Sequence, residues 1–388
     1  MNAPAVGTLE LAKRLANLGN EVSLFVPHSS DAHMMVKQPP LVMPKRLLVF
    51  RSGPRLSRLP AVTLSFVFLW FKAFRTACKA HVILGQHHYY HVGSFCAAML
   101  SIITRRPLVI RVHDFGGGFR KSNSALDSTM ISVMKWLTLV SFKRAAQILV
   151  PGREVVDMVQ RVYGFRAGQV RLSFNGVDTT FFSPRHRAGG LRRRINSKHI
   201  VVFSGNIDLR SDASGLDVLI KATKLLRKDV PDLKVLIIGD GPDFHRLVQL
   251  ADSLRLGNSL QFLGWVSHEL IPMYLASADV GIGPLRATVE TIGSTPVKVV
   301  EYMASGCVVV VGRGGVSEDL IVDDVNGIVV ESVSVAGVAK SIMKVLSDEK
   351  LAVRLRNRAR ETVVKAYDWE EIVSGLEDTL RSAAEFRK

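Results

Sequence analysis

Between residues 199 and 331 the chain alternates short, uninterrupted apolar runs with amphipathic helical stretches, and few folds accept that order. The runs HIVVFSG (199–205), LKVLIIGDG (233–241), LQFLGWV (260–266), DVGIGPL (279–285), CVVVVGR (307–313) and GIVVE (327–331) carry many β-branched residues and no polar alternation. A strand that is apolar on both sides has to be covered on both faces, which points to a parallel sheet clothed by helices. The covering helices are predicted at GLDVLIKATKLLRKDV (215–230), FHRLVQLADSL (244–254), HELIPMYLASA (268–278) and PVKVVEYMAS (296–305). A Rossmann-like domain follows, and such sheets hold ligands beyond the carboxyl ends of their strands.

The first half repeats the theme less regularly, with strands predicted at NEVSLFVP (20–27), AHVILGQ (80–86), PLVIRVHDF (107–115) and AAQILVPG (145–152). The opening GTLELAKRLANLGNEVSLFV reads as a first helix and second strand with no strand before it. Since the first strand of a doubly wound sheet is central, its lack is expected to leave two neighbouring strand edges open. Either the true start lies upstream or the domain is damaged. The first 20 residues carry Glu10, Lys13 and Arg14 in an amphipathic pattern, unlike a secretory leader.

Charge divides the chain. Residues 1–198 hold 29 Lys and Arg against eight Asp and Glu, whereas residues 199–388 hold 22 against 26. The basic, Gly-containing run RHRAGGLRRR (185–194) falls at the divide and reads as linker. The expected organisation is therefore a basic first domain over 1–184, a linker over 185–198, a second domain over 199–366 and a closing helix over 367–388. A one-sided basic domain suits an anionic membrane surface, an acidic substrate or nucleic acid. The stretches 59–74 and 130–146 mix basic, aromatic and aliphatic residues, and read either as core helices or as helices lying in a membrane interface. Neither reaches the roughly 20 apolar residues that span a bilayer. No nucleic-acid recognition module is evident, so nucleic acid is not expected as a partner. Cys78, Cys96 and Cys307 are scattered among apolar residues and read as buried thiols of a reduced, cytosolic protein.

The segment GSTPVKVVEYMASG (293–306) combines a helix start with an acidic residue on its second turn. Thr295 is the expected N-cap and Pro296 the expected first helical residue, which leaves free amides facing whatever lies ahead. Such helix starts accept phosphate. Glu301 follows at roughly 8 Å along the axis, a spacing that matches a diphosphate next to a ribose. Lys298, in the first turn, points either to that anion or to solvent. In QHHYYH (86–91), His87 and His91 stand four apart and suit a metal only on one helical face, with no carboxylate or cysteine beside them.

Together these segments resemble the GT-B glycosyltransferases, specifically glycosyltransferase family 4, the retaining enzymes also described as glycosyl transferases group 1. The resemblance rests on LAKRLANLGNEVSLFVP (11–27), VHDF (112–115), FNGVDTTFFSP (174–184), LIIGDGP (236–242), FLGWV (262–266), PVKVVEYMASGCVVVV (296–311) and the closing YDWEEIVSGLEDTL. It implies two Rossmann-like α/β domains with parallel sheets facing across a cleft. It also implies a nucleotide-diphosphate sugar as co-substrate, no other cofactor and no metal held by the protein.

The resemblance assigns roles as well. Glu301 would hold the ribose diol; Gly264, Trp265 and Val266 would edge the nucleobase; Ser294, Thr295 and Pro296 would line the diphosphate and donor sugar. His113 would face that sugar, with Asp114 capping the next loop, and Gly116, Gly117 and Gly118 would let backbone approach the acceptor. The family's usual Arg and Lys after the first strand of the second domain are here Asn206 and Ser214. Arg210 between them is the candidate to reach the departing phosphate. The family's first glutamate, eight positions before Glu301, is here Gly293, with Glu290 a displaced candidate. The expected activity is sugar transfer to a lipid-linked or polysaccharide acceptor at the inner face of the cytoplasmic membrane. The alternative is a relative that binds a nucleotide-sugar or a partner without turnover.

Overall fold

The computed structural model describes residues 3–25, 46–50, 70–87, 92–113, 125–187, 189–208, 214–288, 293–316 and 318–385. They form two compact units, Met1–Phe174 with Glu370–Lys388, and Asn175–Trp369.

In the first unit, α1 (Ala3–Asn17) leads into β1 (Glu21–Phe25), followed by β2 (Arg46–Phe50), α2 (70–79), β3 (Val82–His87) and α3 (Val92–Thr104). Then come β4 (Leu108–Val112), α4 (Ala125–Arg144), β5 (Gln147–Val150), α5 (Arg153–Tyr163) and β6 (Val170–Leu172). All six strands are parallel and lie in chain order. The open edges expected beside the first strand do not occur. Arg46–Phe50, a strand that sequence periodicity does not reveal, pairs with β1 on one side and β3 on the other. It fills the place between them, so the edges of β1 and β3 that face it are paired. Ile83, Leu108, Ile110, Ile148 and Phe142 are fully buried between the sheet and its helices.

The second unit runs through α6 (Gly189–Ile195), β7 (His199–Ser204), α7 (Leu216–Asp229), β8 (Leu233–Ile238), α8 (Phe244–Ser253), β9 (Leu260–Gly264) and α9 (Ile271–Ser277). It continues with β10 (Val280–Ile282), α10 (Val297–Ser305), β11 (Val308–Gly312), β12 (Ile328–Val330), α11 (Val335–Ser347) and α12 (Glu349–Ala366). The last helix, α13 (Trp369–Glu385), belongs to the first unit from Glu370 onward. The second sheet is again parallel, in the order β12-β11-β10-β7-β8-β9. Strand order therefore reverses between β7 and β10, and the loops leaving those two strands diverge to opposite faces. That switch point is where an open α/β sheet offers a crevice.

The stretch 185–198, read from sequence as linker, is not one. The chain passes between units at Phe174 and Asn175, and the basic run is part of the second unit. Arg187, Arg192 and Arg356 converge on the buried Asp279 carboxylate at the amino end of β10, which also accepts the Ile200 amide at 2.9 Å. Two of the arginines that suggested a solvated tether, Arg187 and Arg192, are instead paired with an acid, while Arg185, Arg193 and Arg194 are exposed. Cys96 and Cys307 are buried as expected, but Cys78 on α2 is exposed. His87 ends a strand rather than lying on a helix, and its Nδ1 meets Ser94 Oγ at 2.8 Å in the core. His91 lies outside the described residues.

Candidate functional site

Three loops leave the carboxyl ends of β7, β8 and β9 and are joined there through main-chain hydrogen bonds. Gly205 N donates to Ile238 O at 3.0 Å, Gly239 N to Gly264 O at 2.8 Å, and Ile207 N to Asp240 O at 3.0 Å. The approach is close enough to require glycine. A Cβ on Gly239, whose φ is +132°, would fall 1.9 Å from Gly205 O. Gly205, at φ +144°, leaves room for a different neighbour: its Cβ would stand 2.7 Å from the Lys298 ammonium.

Helix α10 delivers that ammonium. Its N-cap is Pro296, with ψ 126°, and not Thr295 as the sequence suggested. Pro296 has the φ of a helical residue but an extended ψ, so the first helical residue is Val297, one position late. Pro296 O accepts from Val299 N at 2.9 Å, while the amides of Val297 and Lys298 precede the first intrahelical bond. Thr295 is buried, and its carbonyl accepts from Asn175 Nδ2 at 2.9 Å. Ser294 is half-buried, and Gly293 takes φ +65°.

The helix is fixed by Tyr302, which sequence reasoning missed. Its buried hydroxyl accepts from Ser204 N at 2.7 Å and donates to Ser204 O at 3.3 Å, tying α10 to the end of β7. Its ring fills the space over Gly281, where a Cβ would come within 2.6 Å. The one legible signal was a glycine inside the strand DVGIGPL, which marks close approach of another group. Burial pushes the phenol above its ordinary range, against the lowering influence of its hydrogen bonds to Ser204.

Lys298 and Glu301 flank this anchor. Lys298 Nζ lies 4.2 Å from the centre of the Phe203 ring, directed toward the switch point. Burial lowers its pKa to about 8, against the raising influence of Glu301; burial raises the Glu301 carboxyl to about 8, against the lowering influence of Lys298. Among the described residues the Glu301 carboxyl has no hydrogen-bond or ion-pair partner, so once ionised both oxygens are acceptors without a protein donor. Gly264 and Val266 are half-buried at the end of β9, and Trp265 between them is 77% exposed. A carboxyl acceptor, an ammonium and the amides that begin a helix, with an exposed indole at the end of a neighbouring strand of the same sheet, are the chemistry that a polyhydroxylated, anionic, aromatic ligand calls for.

The first unit holds a separate polar cluster. His113 follows β4; its Nε2 lies 2.5 Å from Gln86 Oε1 and 3.4 Å from Arg111 Nη1. Arg111 is buried within β4 and donates to Phe174 O at 2.8 Å; desolvation lowers its pKa to about 10. Neither Gln86 nor Arg111 was visible as a partner of His113 in the sequence, because alternate residues of adjacent strands meet only once the register is set. Arg210, Glu290, Asp114, Gly116, Gly117 and Gly118 lie outside the described residues. No group of three metal-ligating side chains occurs among the described residues.

Comparison with known proteins covers both units. The family described as "Glycosyl transferases group 1" matches residues 192–362, and "Glycosyltransferase Family 4" matches residues 5–181. A GDP-mannose-dependent alpha-(1-6)-phosphatidylinositol monomannoside mannosyltransferase of Mycolicibacterium smegmatis is 26% identical over 354 residues, 87% of each chain. The protein of the same name from Mycobacterium tuberculosis is 29% identical over 214 residues, and the match spans only about half of that relative, 54% of its length. Among solved structures, Anabaena HepE in complex with UDP superposes with a TM-score of 0.70 at 19% identity, covering 93% of this chain and 100% of that one. Sucrose-phosphate synthase from Thermosynechococcus elongatus gives 0.73 at 19% identity, with 98% and 93% covered.

Proposed function

The chain belongs to glycosyltransferase family 4, on the two-domain GT-B plan, and from that premise we propose that it transfers a sugar from a nucleotide-diphosphate sugar to an acceptor hydroxyl. The observation that carries this reading is Glu301, an open carboxyl on the second turn of a helix whose free amides face the switch point. In the proposed pose the ribose diol donates to Glu301, the diphosphate lies before Ser294, Thr295 and Pro296, and the base rests along Gly264, Trp265 and Val266. His113 is assigned to the donor sugar and Arg210 to the departing phosphates.

The proposed transfer retains the anomeric configuration. The bond between the sugar's anomeric carbon and the phosphate oxygen breaks as the acceptor oxygen bonds to the same face. The acceptor's proton passes to the departing phosphate oxygen, and the nucleoside diphosphate leaves. Protein groups then contribute mainly positive potential around the leaving group, the electrostatic contribution that dominates many such reactions. The scheme asks for no cofactor besides the donor.

A lipid-linked or polysaccharide acceptor at an anionic membrane surface is the favoured class. Its support is the basic first unit, on which Phe71 and Trp136 are more than half exposed close in sequence to exposed Lys72 and Lys135. The phosphatidylinositol monomannoside named for the mycobacterial relatives belongs to the same class of acceptor. No helix among the described residues is long and apolar enough to cross a membrane, so attachment at the inner face would be peripheral.

Calorimetric titration with UDP and GDP tests the donor site: Glu301→Ala is expected to weaken binding about tenfold or more, since two charge-assisted hydrogen bonds disappear. Equal binding by the variant would remove the basis of the reading. Asn206 and Ser214, in place of the family's basic residues, favour one second reading, a protein that binds donor without transfer. Donor hydrolysis and transfer to a membrane extract, followed by loss of both in His113→Ala, would exclude it.

A further inference from the structure

The proposed transfer leaves a charge to be accounted for. A departing nucleoside diphosphate carries several negative charges, yet the described residues of the loop after β7 include no basic side chain: Asn206 is exposed and uncharged, and Ser214 is buried with an unpartnered hydroxyl. Two described arginines at the carboxyl ends of neighbouring strands are committed: Arg286, after β10, bridges Asp217 at 3.0 Å, and Arg313, after β11, is bound by both oxygens of Glu331. Lys298 differs from both. Its ammonium makes no hydrogen bond or ion pair with any described residue; it lies over the face of Phe203, and the Glu301 carboxyl acts on it only electrostatically. An aromatic ring attracts a cation without neutralising it, so the charge and its N–H donors remain available. The ammonium also fills the space that Gly205 opens at the carboxyl end of β7, beside the free amides that begin α10.

We propose that Lys298 is a diphosphate-binding cation of this protein, supplying from helix α10, alongside the Arg210 assigned above, positive charge where the loop after β7 carries Asn206 and Ser214. The inference rests on the donor reading above and deepens it. Three features act together: glycine at 205 makes the space, Phe203 keeps the ammonium from folding back, and Tyr302 fixes the helix that carries it. The position suits a phosphate better than a hydroxyl, because helix amides and ammonium converge there with the same sign of potential.

Wild type, Lys298→Met and Lys298→Arg are titrated with UDP and GDP and with uridine and guanosine, after circular dichroism has confirmed folding. The methionine variant is expected to lose about 10- to 100-fold in affinity for the diphosphates, one charge-assisted contact, while nucleoside affinity stays unchanged. The arginine variant is expected to keep most of the preference, and Asn206→Arg in the methionine background to restore at least part of it. Lys298→Gln provides the same read-out should the methionine variant fold poorly. Undiminished diphosphate binding by Lys298→Met overturns the proposal. So does an equal loss of nucleoside and diphosphate, which marks a structural role, or a diphosphate preference that vanishes only with Arg210→Ala. A wild type that binds neither diphosphate at millimolar concentration strikes instead at the donor reading, and the inference falls with it.

Discussion

Glu301 and Lys298 stand three residues apart on one helix, and burial works on them in opposite directions, raising the acid and lowering the base to about 8. Their signs give a testable pH profile. Below about 8 the free carboxyl holds a proton that a ribose diol must displace, so binding releases a proton and strengthens as pH rises. Above about 8 the free ammonium has lost its proton and a phosphate restores it, so binding takes up a proton and weakens as pH rises. Affinity for a nucleoside diphosphate is expected to peak near pH 8, with limbs no steeper than about tenfold per pH unit. Calorimetry in buffers of different ionisation enthalpy checks the change of sign. Glu301→Gln should flatten the acid limb and Lys298→Met the alkaline one. The same raised carboxyl lowers stability as pH climbs from the ordinary carboxylate range toward 8, because the unfolded chain gives up that proton first. Glu301→Gln is therefore expected to raise the melting temperature at pH 8 more than at pH 5, by differential scanning calorimetry.

Among the elements, α10 bears the greatest demand, since its first turn carries Lys298 and its second Glu301 and Tyr302. Tyr302→Phe keeps the ring over Gly281 but strands the Ser204 amide, a loss of about 1–3 kcal/mol in denaturant unfolding. Diphosphate affinity should fall with it, because the helix is then less firmly held. The element itself was legible: a Pro, a run of apolar positions at helical spacing and a glycine stop mark 296–306. Its start was misread by one residue, because Pro296 satisfies the φ of either position and only ψ separates them. The anchor was illegible for a different reason. Tyr302 reaches Ser204 across 98 positions of sequence, and no local period encodes such a meeting. The same limit hid β2, five residues too short for a periodic signal, whose place between β1 and β3 is set by pairing alone.

At the scale of the whole molecule, the uneven charge is the property that reaches beyond either sheet. The uninterrupted apolar runs made the second unit's sheet readable nearly strand by strand, whereas composition misplaced the boundary by treating arginines as solvated. Arg187, Arg192 and Arg356 are drawn onto Asp279, and that acid is remote in sequence from all three of them. The remaining basic surface predicts a salt-sensitive attachment. The full chain is expected to co-sediment with vesicles containing anionic lipid, to ignore neutral ones, and to be released as ionic strength shortens the Debye length below about 8 Å. Binding of neutral and anionic vesicles alike at low salt would dismiss the membrane part of the reading.

The three loops beyond β7, β8 and β9 are fastened through main-chain atoms, at Gly205, Gly239 and Ile207, and not through the side chains between them. Main-chain bonds survive a change of side chain, so the exposed positions Asn206, Asp240 and Trp265 can be exchanged while the floor beneath them keeps its shape. Libraries at those three positions should yield folded proteins at high frequency, in contrast to Gly239→Ala. A scaffold fastened this way is well suited to retargeting, with new donor preferences reached by replacing walls on a floor that already stands.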